Sequence, residues 1–207
     1  MIDVAALFGQ MDIYLFDQIQ RGRIIPGQRL MDAGCGGGRN LTFFLRQGYQ
    51  VSAIDADPRA IGAVQELAGR IAPALPSTNF RAENLESNSF PDGVADLVIS
   101  SAVLHFANDE AHFGAMLRGS WRLLAENGLF FCRLASNIGM EQRCRLISGR
   151  RFSLPDGSER FLVDERMLLD WTSALEGTLL DPIKTTIVQD SRCMTTWVVR
   201  KPGRPAA

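Results

Sequence analysis

Asp32-Ala33-Gly34-Cys35-Gly36-Gly37-Gly38-Arg39-Asn40 is the stretch of sequence that decides the fold. It follows a short apolar run, Arg29–Ala33, and it precedes residues 40–47, whose apolar side chains have helical spacing. Glycine permits a tight turn and a close approach of the backbone to a ligand, so this context is typical of nucleotide-binding loops. We therefore predict a strand, a ligand-binding turn and a helix, with the first N–H groups of that helix facing an anionic group.

Strand-like and helix-like segments alternate along the rest of the chain. Helical spacing follows Asp57-Pro58, Asn108-Asp109 and Asp164, and apolar strand-like runs lie at 51–54, 79–82, 96–100, 129–134, 183–188 and 193–200. Too few residues separate the last two runs for a parallel crossover, so they predict an antiparallel hairpin. The alternation predicts an α/β fold with a doubly wound, Rossmann-like, seven-stranded mixed sheet whose last strand is antiparallel.

The chain has 207 residues, which fits a single domain over 1–207. Residues 4–19 have the spacing of one amphipathic helix, and we interpret 1–25 as a candidate lid over the ligand. Residues 137–163 contain five arginines and the turn signal Pro155-Asp156-Gly157. We interpret that insert as a hairpin or flap beside the substrate.

The composition limits the kinds of partner that we expect. The formal net charge is −1, and no basic run favours a nucleic acid or a membrane surface. Four cysteines without a C-x-x-C pair, together with two histidines, predict no metal site. No signal peptide or long apolar stretch is evident, so we expect a cytoplasmic protein that acts on a small molecule. The sequence does not indicate an oligomeric state.

Two acids frame the glycine loop and distinguish two kinds of ligand. Asp55, which ends the second predicted strand, has the position of an acid that accepts hydrogen bonds from both ribose hydroxyls. The third glycine of a dinucleotide fingerprint is replaced by Arg39, which disfavours a nicotinamide dinucleotide. Asp32 would repel a pyrophosphate but would attract an ammonium group. The residues thus favour S-adenosylmethionine over a nicotinamide cofactor, and both interpretations remain open.

The segment 32–38 resembles motif I of the class I S-adenosylmethionine-dependent methyltransferases, and Gly38-Arg39-Asn40 is similar to the tellurite-resistance-type branch. The resemblance extends over roughly 30–134 and the closing hairpin, although Glu126-Asn127-Gly128 replaces the usual Pro-Gly-Gly. It implies that Asp32, Gly34 and Gly36 hold the methionine part and Asp55 the ribose, that Glu83 or Asn84 flanks the adenine, and that Ser101-Ala102 lies beneath the sulfonium. We also assign Ala33, Cys35, Arg39 and Ala56, which lie within the two turns, to the cofactor site.

The resemblance implies an S-adenosylmethionine-dependent methyltransferase that releases S-adenosylhomocysteine. His105, after the fourth predicted strand, is our candidate general base. Tyr14 on the N-terminal helix is a candidate substrate contact, and Arg133 and Arg160 are candidates for holding a small anionic substrate, since arginine binds carboxylates in bidentate fashion. Two alternatives stay open: a nicotinamide-dependent oxidoreductase and a non-catalytic S-adenosylmethionine-binding protein.

Overall fold

The computed structural model describes residues 3–203, and a mixed central sheet runs through its middle. The strands of that sheet are β1 (Arg29–Ala33), β2 (Gln50–Asp55), β3 (Phe80–Ala82), β4 (Ala95–Ser101), β5 (Leu124–Ala135), β9 (Thr178–Leu179), β10 (Lys184–Val188) and β11 (Arg192–Arg200). A second sheet contains β6 (Arg145–Ser148), β7 (Arg151–Ser153) and β8 (Glu159–Phe161). The α-helices are α1 (Val4–Phe8), α2 (Ile13–Gln20), α3 (Thr42–Arg46), α4 (Pro58–Ile71), α5 (Glu110–Arg122) and α6 (Glu165–Ala174).

The central sheet has the strand order β10-β11-β5-β4-β1-β2-β3, with the short strand β9 added beside β11. Strands β1 to β5 are parallel, whereas β11 runs antiparallel to both β5 and β10. The predicted doubly wound α/β sheet with an antiparallel last strand is therefore confirmed. Parallel pairing brings the carboxyl ends of β1, β2 and β4 to one edge, and ligands of such sheets bind at this edge.

Apolar residues cover both faces of the sheet, as a doubly wound fold requires. Phe130 packs on one face with Phe113 of α5 and Trp197 of β11. The next residue, Phe131, packs on the other face with Leu15 of α2 and Phe44 of α3. This alternation along β5 follows from the two-residue period of a strand. It packs helices against both faces of the sheet, next to the edge where the parallel strands end.

The N-terminal segment forms two helices instead of the single helix predicted over residues 4–19. Gly9 has a φ of 62°, which ends α1, and the Asp12 side chain caps α2 by accepting a hydrogen bond from the Tyr14 N–H. A glycine in the left-handed region and a capping aspartate are signals that break a helix, and apolar spacing alone does not show them. The candidate lid at 1–25 includes residues 1 and 2, which lie outside the described residues. The predicted domain 1–207 includes these two residues and also 204–207, which are likewise not described.

Two further boundaries differ from the prediction. Helix α3 begins at Thr42 and is one turn shorter than the predicted 40–47. Helix α5 ends at Arg122, before the predicted stop at 127–128, and Asn127 lies within β5 with a φ of 61°. The Asn-Gly pair therefore marks an irregular start of β5 rather than the end of the preceding helix.

The insert at 137–163 is a three-stranded antiparallel sheet, a larger element than the predicted hairpin. It is attached to the main body by Phe161, which is fully buried and stacks on Phe113 at a ring separation of 5.0 Å. No helix within residues 3–203 is long and apolar enough to cross a bilayer.

The cap of α5 yields a test of the fold. Asp109 accepts a hydrogen bond from the His112 N–H at 2.8 Å, so Asp109→Ala should lower the free energy of unfolding by about 1 kcal/mol. Asp109→Asn keeps a capping oxygen and should stay close to the wild type. Urea denaturation of both variants measures this, and equal losses in the two would contradict the capping role.

Candidate functional site

The glycine loop is tied to the end of β2 by its own backbone. The N–H groups of Gly34 and Cys35 donate to the Ile54 carbonyl at 2.8 and 3.0 Å, and the Gly36 N–H donates to Asp55 Oδ2 at 2.8 Å. Gly34 has a φ of 88°, and a Cβ at that position would overlap the Val103 side chain. Glycine is therefore required here for both conformation and space.

The start of helix α3 does not provide the anion site that we predicted. The helix has five residues and begins at Thr42, several residues after the loop. The loop amides of Gly34, Cys35 and Gly36 are occupied by β2, as described above. Positive charge at the loop comes instead from the Arg39 guanidinium.

A cavity of about 480 Å³ opens at the carboxyl edge of β1, β2 and β4, and we call it the loop cavity. Its lining is formed by Gly34, Cys35, Gly36, Gly37, Arg39, Asp55, Ala56, Asn84, Leu85, Glu86, Ser101, Ala102, Val103, Phe106, His112 and Met116. Eight of the eleven predicted cofactor residues thus line one space. Asp32, Ala33 and Glu83 are the three that do not.

Asp32 lies on β1, just beneath the loop, with 1% of its surface exposed. Its Oδ2 atom is buried and has no hydrogen-bond partner among the described residues. Burial raises the pKa of Asp32 from 3.8 to about 7, with Arg39 lowering it and Asp55 raising it further. An unsatisfied buried carboxylate is costly, so Asp32 favours a cation in the space above the loop.

Asp55 holds the loop and also faces the cavity. Its Oδ1 accepts a hydrogen bond from the Asp57 N–H at 2.9 Å, and its Oδ2 accepts the hydrogen bond from the Gly36 N–H. Each carboxylate oxygen has a further acceptor site, so two adjacent hydroxyl donors can bind to a carboxylate that is already oriented.

The structure distinguishes between the two residues predicted to flank the adenine. Glu83 turns away and accepts hydrogen bonds from Ser89 N and Oγ at 2.7 and 2.6 Å. Burial opposes ionisation of Glu83, but these hydrogen bonds lower its pKa overall. Asn84, in contrast, lines the loop cavity.

Sequence reasoning missed one wall of the loop cavity. Met116 and His112 come from α5, and Leu85 and Glu86 from the turn after β3. His112 Nε2 lies 3.7 Å from Glu86 Oε1, and its Nδ1 accepts from the Asn108 N–H at 3.1 Å. The spacing of Met116 in α5 indicated only that its side chain is buried. A helical pattern does not show which strands the helix packs beside, so it could not place Met116 at the cavity.

Asp12 is a second functional residue that sequence reasoning missed. It is 4% exposed, and its Oδ2 lies 3.0 Å from Arg133 Nη1 and 3.7 Å from Arg39 Nη2. Arg39 also donates to Ser101 Oγ at 2.9 Å, and the Asp12 N–H donates to Asn40 Oδ1 at 3.0 Å. The segment that begins α2 is thus attached directly to the glycine loop.

A second cavity, of about 340 Å³, lies beside the first, and we call it the arginine cavity. Its lining is formed by Arg39, Ala102, His105, Arg133, Ala135, Leu154, Asp156, Ser158, Arg160, Val188, Arg192, Cys193 and Met194. Arg39 and Ala102 line both cavities. The structure therefore brings Arg133 and Arg160 into one space, and it adds Arg192 from the turn between β10 and β11.

Tyr14 lies outside the lining of both cavities. Its hydroxyl is 2.6 Å from Thr186 Oγ1 on β10, and the Arg133 guanidinium lies 5.3 Å from the centre of its ring. Tyr14 packs α2 against β10, so its effect on a ligand would pass through Arg133.

His105 lines the arginine cavity but does not have the hydrogen bonding of a general base. The ring is 5% exposed, and its Nδ1 accepts a hydrogen bond from the Ala135 N–H at 3.1 Å. Burial, together with the positive charge of Arg160, lowers the pKa of His105 to about 4. A neutral ring that accepts through Nδ1 carries its proton on Nε2 and is therefore a donor there. This geometry favours a donor role for His105 over the predicted role of general base.

Residues 31–132 match the family model described as a methyltransferase domain. An uncharacterized methyltransferase of Synechocystis sp. is 31% identical over 107 residues, which are 52% of this chain and 47% of that protein. The match thus spans about half the length of this curated relative.

Solved structures share the fold at low sequence identity. The 1,6-didemethyltoxoflavin-N1-methyltransferase of Burkholderia thailandensis, solved with 1,6-didemethyltoxoflavin and S-adenosylhomocysteine, has a TM-score of 0.68 at 20% identity, covering 97% of this chain and 81% of that one. TehB of Haemophilus influenzae has a TM-score of 0.64 at 18% identity, covering 90% of this chain and 62% of that one. The sheet is therefore the class I methyltransferase type, and TehB represents the tellurite-resistance-type branch among its fold neighbours.

The buried Asp32 carboxylate predicts a pH-dependent stability. Because its folded pKa is raised above the unfolded value of 3.8, the stability that protonation provides is complete below about pH 4 and is lost as the pH rises through about 7. Asp32→Asn cannot titrate. Its stability relative to the wild type should therefore increase by on the order of 4 kcal/mol between pH 4 and pH 8. Urea unfolding across this range checks the prediction, and parallel curves would contradict it.

The Asp12 carboxylate predicts a loss of stability when its charge is removed. Asp12→Asn keeps a helix cap but leaves two guanidinium groups without their shared partner, so it should cost on the order of 2 kcal/mol. Asp3→Asn removes an exposed capping charge from α1 and serves as the matched control. Adding Arg133→Met to Asp12→Asn should restore part of the loss in thermal denaturation. No restoration would contradict a stabilising role for the ion pair between Asp12 and Arg133.

Proposed function

Because residues 31–132 form a methyltransferase domain, we propose that this chain is an S-adenosylmethionine-dependent methyltransferase that acts on a small molecule. The observation that carries the proposal is the loop cavity at the carboxyl edge of the sheet, where Asp55, Arg39 and the glycine loop line the space and the buried carboxylate of Asp32 lies beneath the loop. The family and the fold both indicate S-adenosylmethionine as the cofactor. The family match disfavours the nicotinamide-dependent alternative, which Arg39 and Asp32 had already made unfavourable.

The charges around the loop fit an amino-acid headgroup. Asp32 lacks a partner for its buried Oδ2 atom and so favours the ammonium group above the loop, directly or through a water molecule. Arg39 lines the same cavity and can pair with the carboxylate of that headgroup. Asp55 accepts hydrogen bonds from the ribose hydroxyls, since its orientation is already fixed by Gly36 and Asp57.

The far wall of the loop cavity suits the adenine ring. Leu85, Val103 and Met116 provide apolar contact, and Asn84 provides an amide beside them. A flat heteroaromatic ring matches this combination of apolar surface with few polar groups. Glu83 has no part in this contact, because Ser89 holds its carboxylate elsewhere.

Methyl transfer takes place where the two cavities meet, at Arg39 and Ala102. Ala102, which follows β4, has a φ of 65°, a strained backbone conformation for a residue other than glycine. A hydrogen bond from its N–H to the Arg133 carbonyl at 2.7 Å stabilises this conformation. When bound, S-adenosylmethionine supplies a methyl group whose bond to sulfur breaks as a lone pair of the acceptor attacks, with the bonding electrons leaving on sulfur. The protein's task is to hold the acceptor atom about 3 Å from that methyl group and in line with the leaving sulfur.

The acceptor is a small molecule that enters through the arginine cavity. That cavity has a volume of about 340 Å³, which suits a compact ligand, and it adjoins the loop cavity at the strained end of β4. His105 contributes a hydrogen-bond donor there and takes no proton. The acceptor atom therefore reacts through a lone pair that is available without help from His105.

Calorimetry tests this function and separates the alternatives. The chain should bind S-adenosylmethionine and S-adenosylhomocysteine but not NAD, and Asp55→Ala should weaken binding by about tenfold to a hundredfold because two charge-assisted hydrogen bonds are lost. Asp170→Asn removes a carboxylate from the exposed side of α6 and is the matched control. Binding of NAD alone would overturn the proposal.

Turnover distinguishes an enzyme from a binding protein. Incubation with S-adenosylmethionine and a panel of small metabolites should release S-adenosylhomocysteine in the wild type, and Asp55→Ala should release little. Tight binding of both forms of the cofactor, with no release against any acceptor, would favour the non-catalytic alternative.

A further inference from the structure

The four arginines that line the arginine cavity differ in whether a carboxylate already contacts them. Arg39 and Arg133 share the Asp12 carboxylate. Arg160 and Arg192 have no ion pair within 4.0 Å in the part of the chain that the structure describes. The acid that faces them is Asp156, which is exposed and accepts hydrogen bonds from Ser158 N and Oγ at 2.9 and 2.6 Å. The cavity thus keeps excess positive charge at its Arg160 and Arg192 side.

Arg160 is held in place without using up its donors. Its guanidinium lies over the Phe106 ring at 4.9 Å, and one Nη1 hydrogen bond reaches the Glu159 carbonyl at 2.7 Å. A guanidinium has five N–H donors and keeps its donating edge when it stacks on an aromatic ring. Arg160 can therefore bind a carboxylate through its remaining N–H groups at little further entropic cost.

His105 adds a neutral donor next to Arg160. The Ala135 N–H occupies Nδ1, so the proton of the ring lies on Nε2. The ring also packs edge-on against Phe106, with the ring centres 4.6 Å apart, and this contact fixes its orientation. A buried N–H donor beside a guanidinium is a suitable partner for an anionic oxygen.

Apart from Asp156 and Ser158, most of the remaining lining of the cavity is apolar. Ala135, Leu154, Val188 and Met194 line it, and Leu154 and Ala135 are buried. An inorganic anion would leave this surface exposed, whereas a carboxylate on a hydrocarbon body would cover it.

We propose that the arginine cavity binds the methyl acceptor as a small carboxylate with an apolar body, the carboxylate lying on Arg160, Arg192 and the His105 Nε2–H. Arg133 is not the principal anion contact, because Asp12 already neutralises it. The reacting atom of the acceptor then lies at the opposite end, toward Ala102 and Arg39, where the two cavities meet. This inference rests on the function proposed above.

Benzoate and its neutral isostere benzamide test the charge requirement. Saturation-transfer NMR and calorimetry should detect benzoate binding to the full chain in the presence of S-adenosylhomocysteine, with benzamide binding at least about tenfold more weakly. Arg160→Met and Arg192→Met should each weaken benzoate binding by about fivefold or more. Arg145→Met, in the same insert but outside the cavity, should bind benzoate like the wild type.

Paired variants of His105 separate its donor from its structural role. His105→Asn places an acceptor near the position of Nδ1 but lacks the distal donor, so it should fold and lose affinity for benzoate. His105→Gln places a donor near Nε2 and should retain more of that affinity, with a lower melting temperature because the Ala135 N–H loses its acceptor. The reverse order of benzoate affinities would remove His105 from the subsite.

The outcomes distinguish this subsite from the proposed function. No benzoate binding, equal binding of benzoate and benzamide, or Arg160→Met and Arg192→Met variants that bind like Arg145→Met would overturn the subsite, and normal S-adenosylmethionine binding would then leave the methyltransferase proposal intact. Charge-selective benzoate binding without any S-adenosylmethionine binding would keep an anion site and overturn the proposed function.

Discussion

Parallel pairing of β1 with β2 and β4 is the constraint on which the rest of this structure depends. In this register Asp32 lies opposite Ala53 on one side and Ile99 on the other, so the carboxyl ends of the three strands meet at one edge. The glycine loop, Asp55 and the Ser101–Ala102 turn follow those ends directly. The site is therefore a consequence of strand order, and both cavities open where parallel strands stop and the backbone has to turn.

Unbalanced charge at this edge gives the site its chemical character. Asp32 is an acid without a partner for one oxygen, whereas Arg160 and Arg192 are bases without an acid within salt-bridge distance in residues 3–203. The first imbalance lies under the loop cavity and the second lies beside the arginine cavity. A cationic headgroup in one space and an anionic acceptor in the other would remove both. Leaving the buried Asp32 oxygen unpaired costs free energy, whereas Arg160 is half-buried and Arg192 exposed, so these two guanidinium groups stay available to a ligand because no acid among the described residues holds them.

The sequence predicted local features better than contacts between distant segments. The capping residues Asp57, Asp109 and Asp164 act through backbone groups a few residues away, and short motifs reveal them. The glycine loop and Asp55 bond each other across 19 residues of sequence, but each lies in a recognisable strand-to-turn motif. Asp12 and Arg192 become functional only because separate segments fold onto the same edge, and no local pattern contains this information. His105 is a third case: the sequence predicted its position beside a cavity, but the Ala135 N–H that bonds its ring, which comes from β5, could not be predicted from a local pattern.

Asp12 links the N-terminal segment to arginines that line both cavities. Its carboxylate contacts Arg39, which lines the loop cavity and the arginine cavity, and Arg133, which lines only the second. A cofactor carboxylate that attracts Arg39 would compete with Asp12 for the same guanidinium. Binding in the loop cavity would then alter how strongly α2 is held over the site and how much positive charge Arg133 presents to an acceptor. This shared ion pair provides a direct physical route by which occupation of one cavity affects the other.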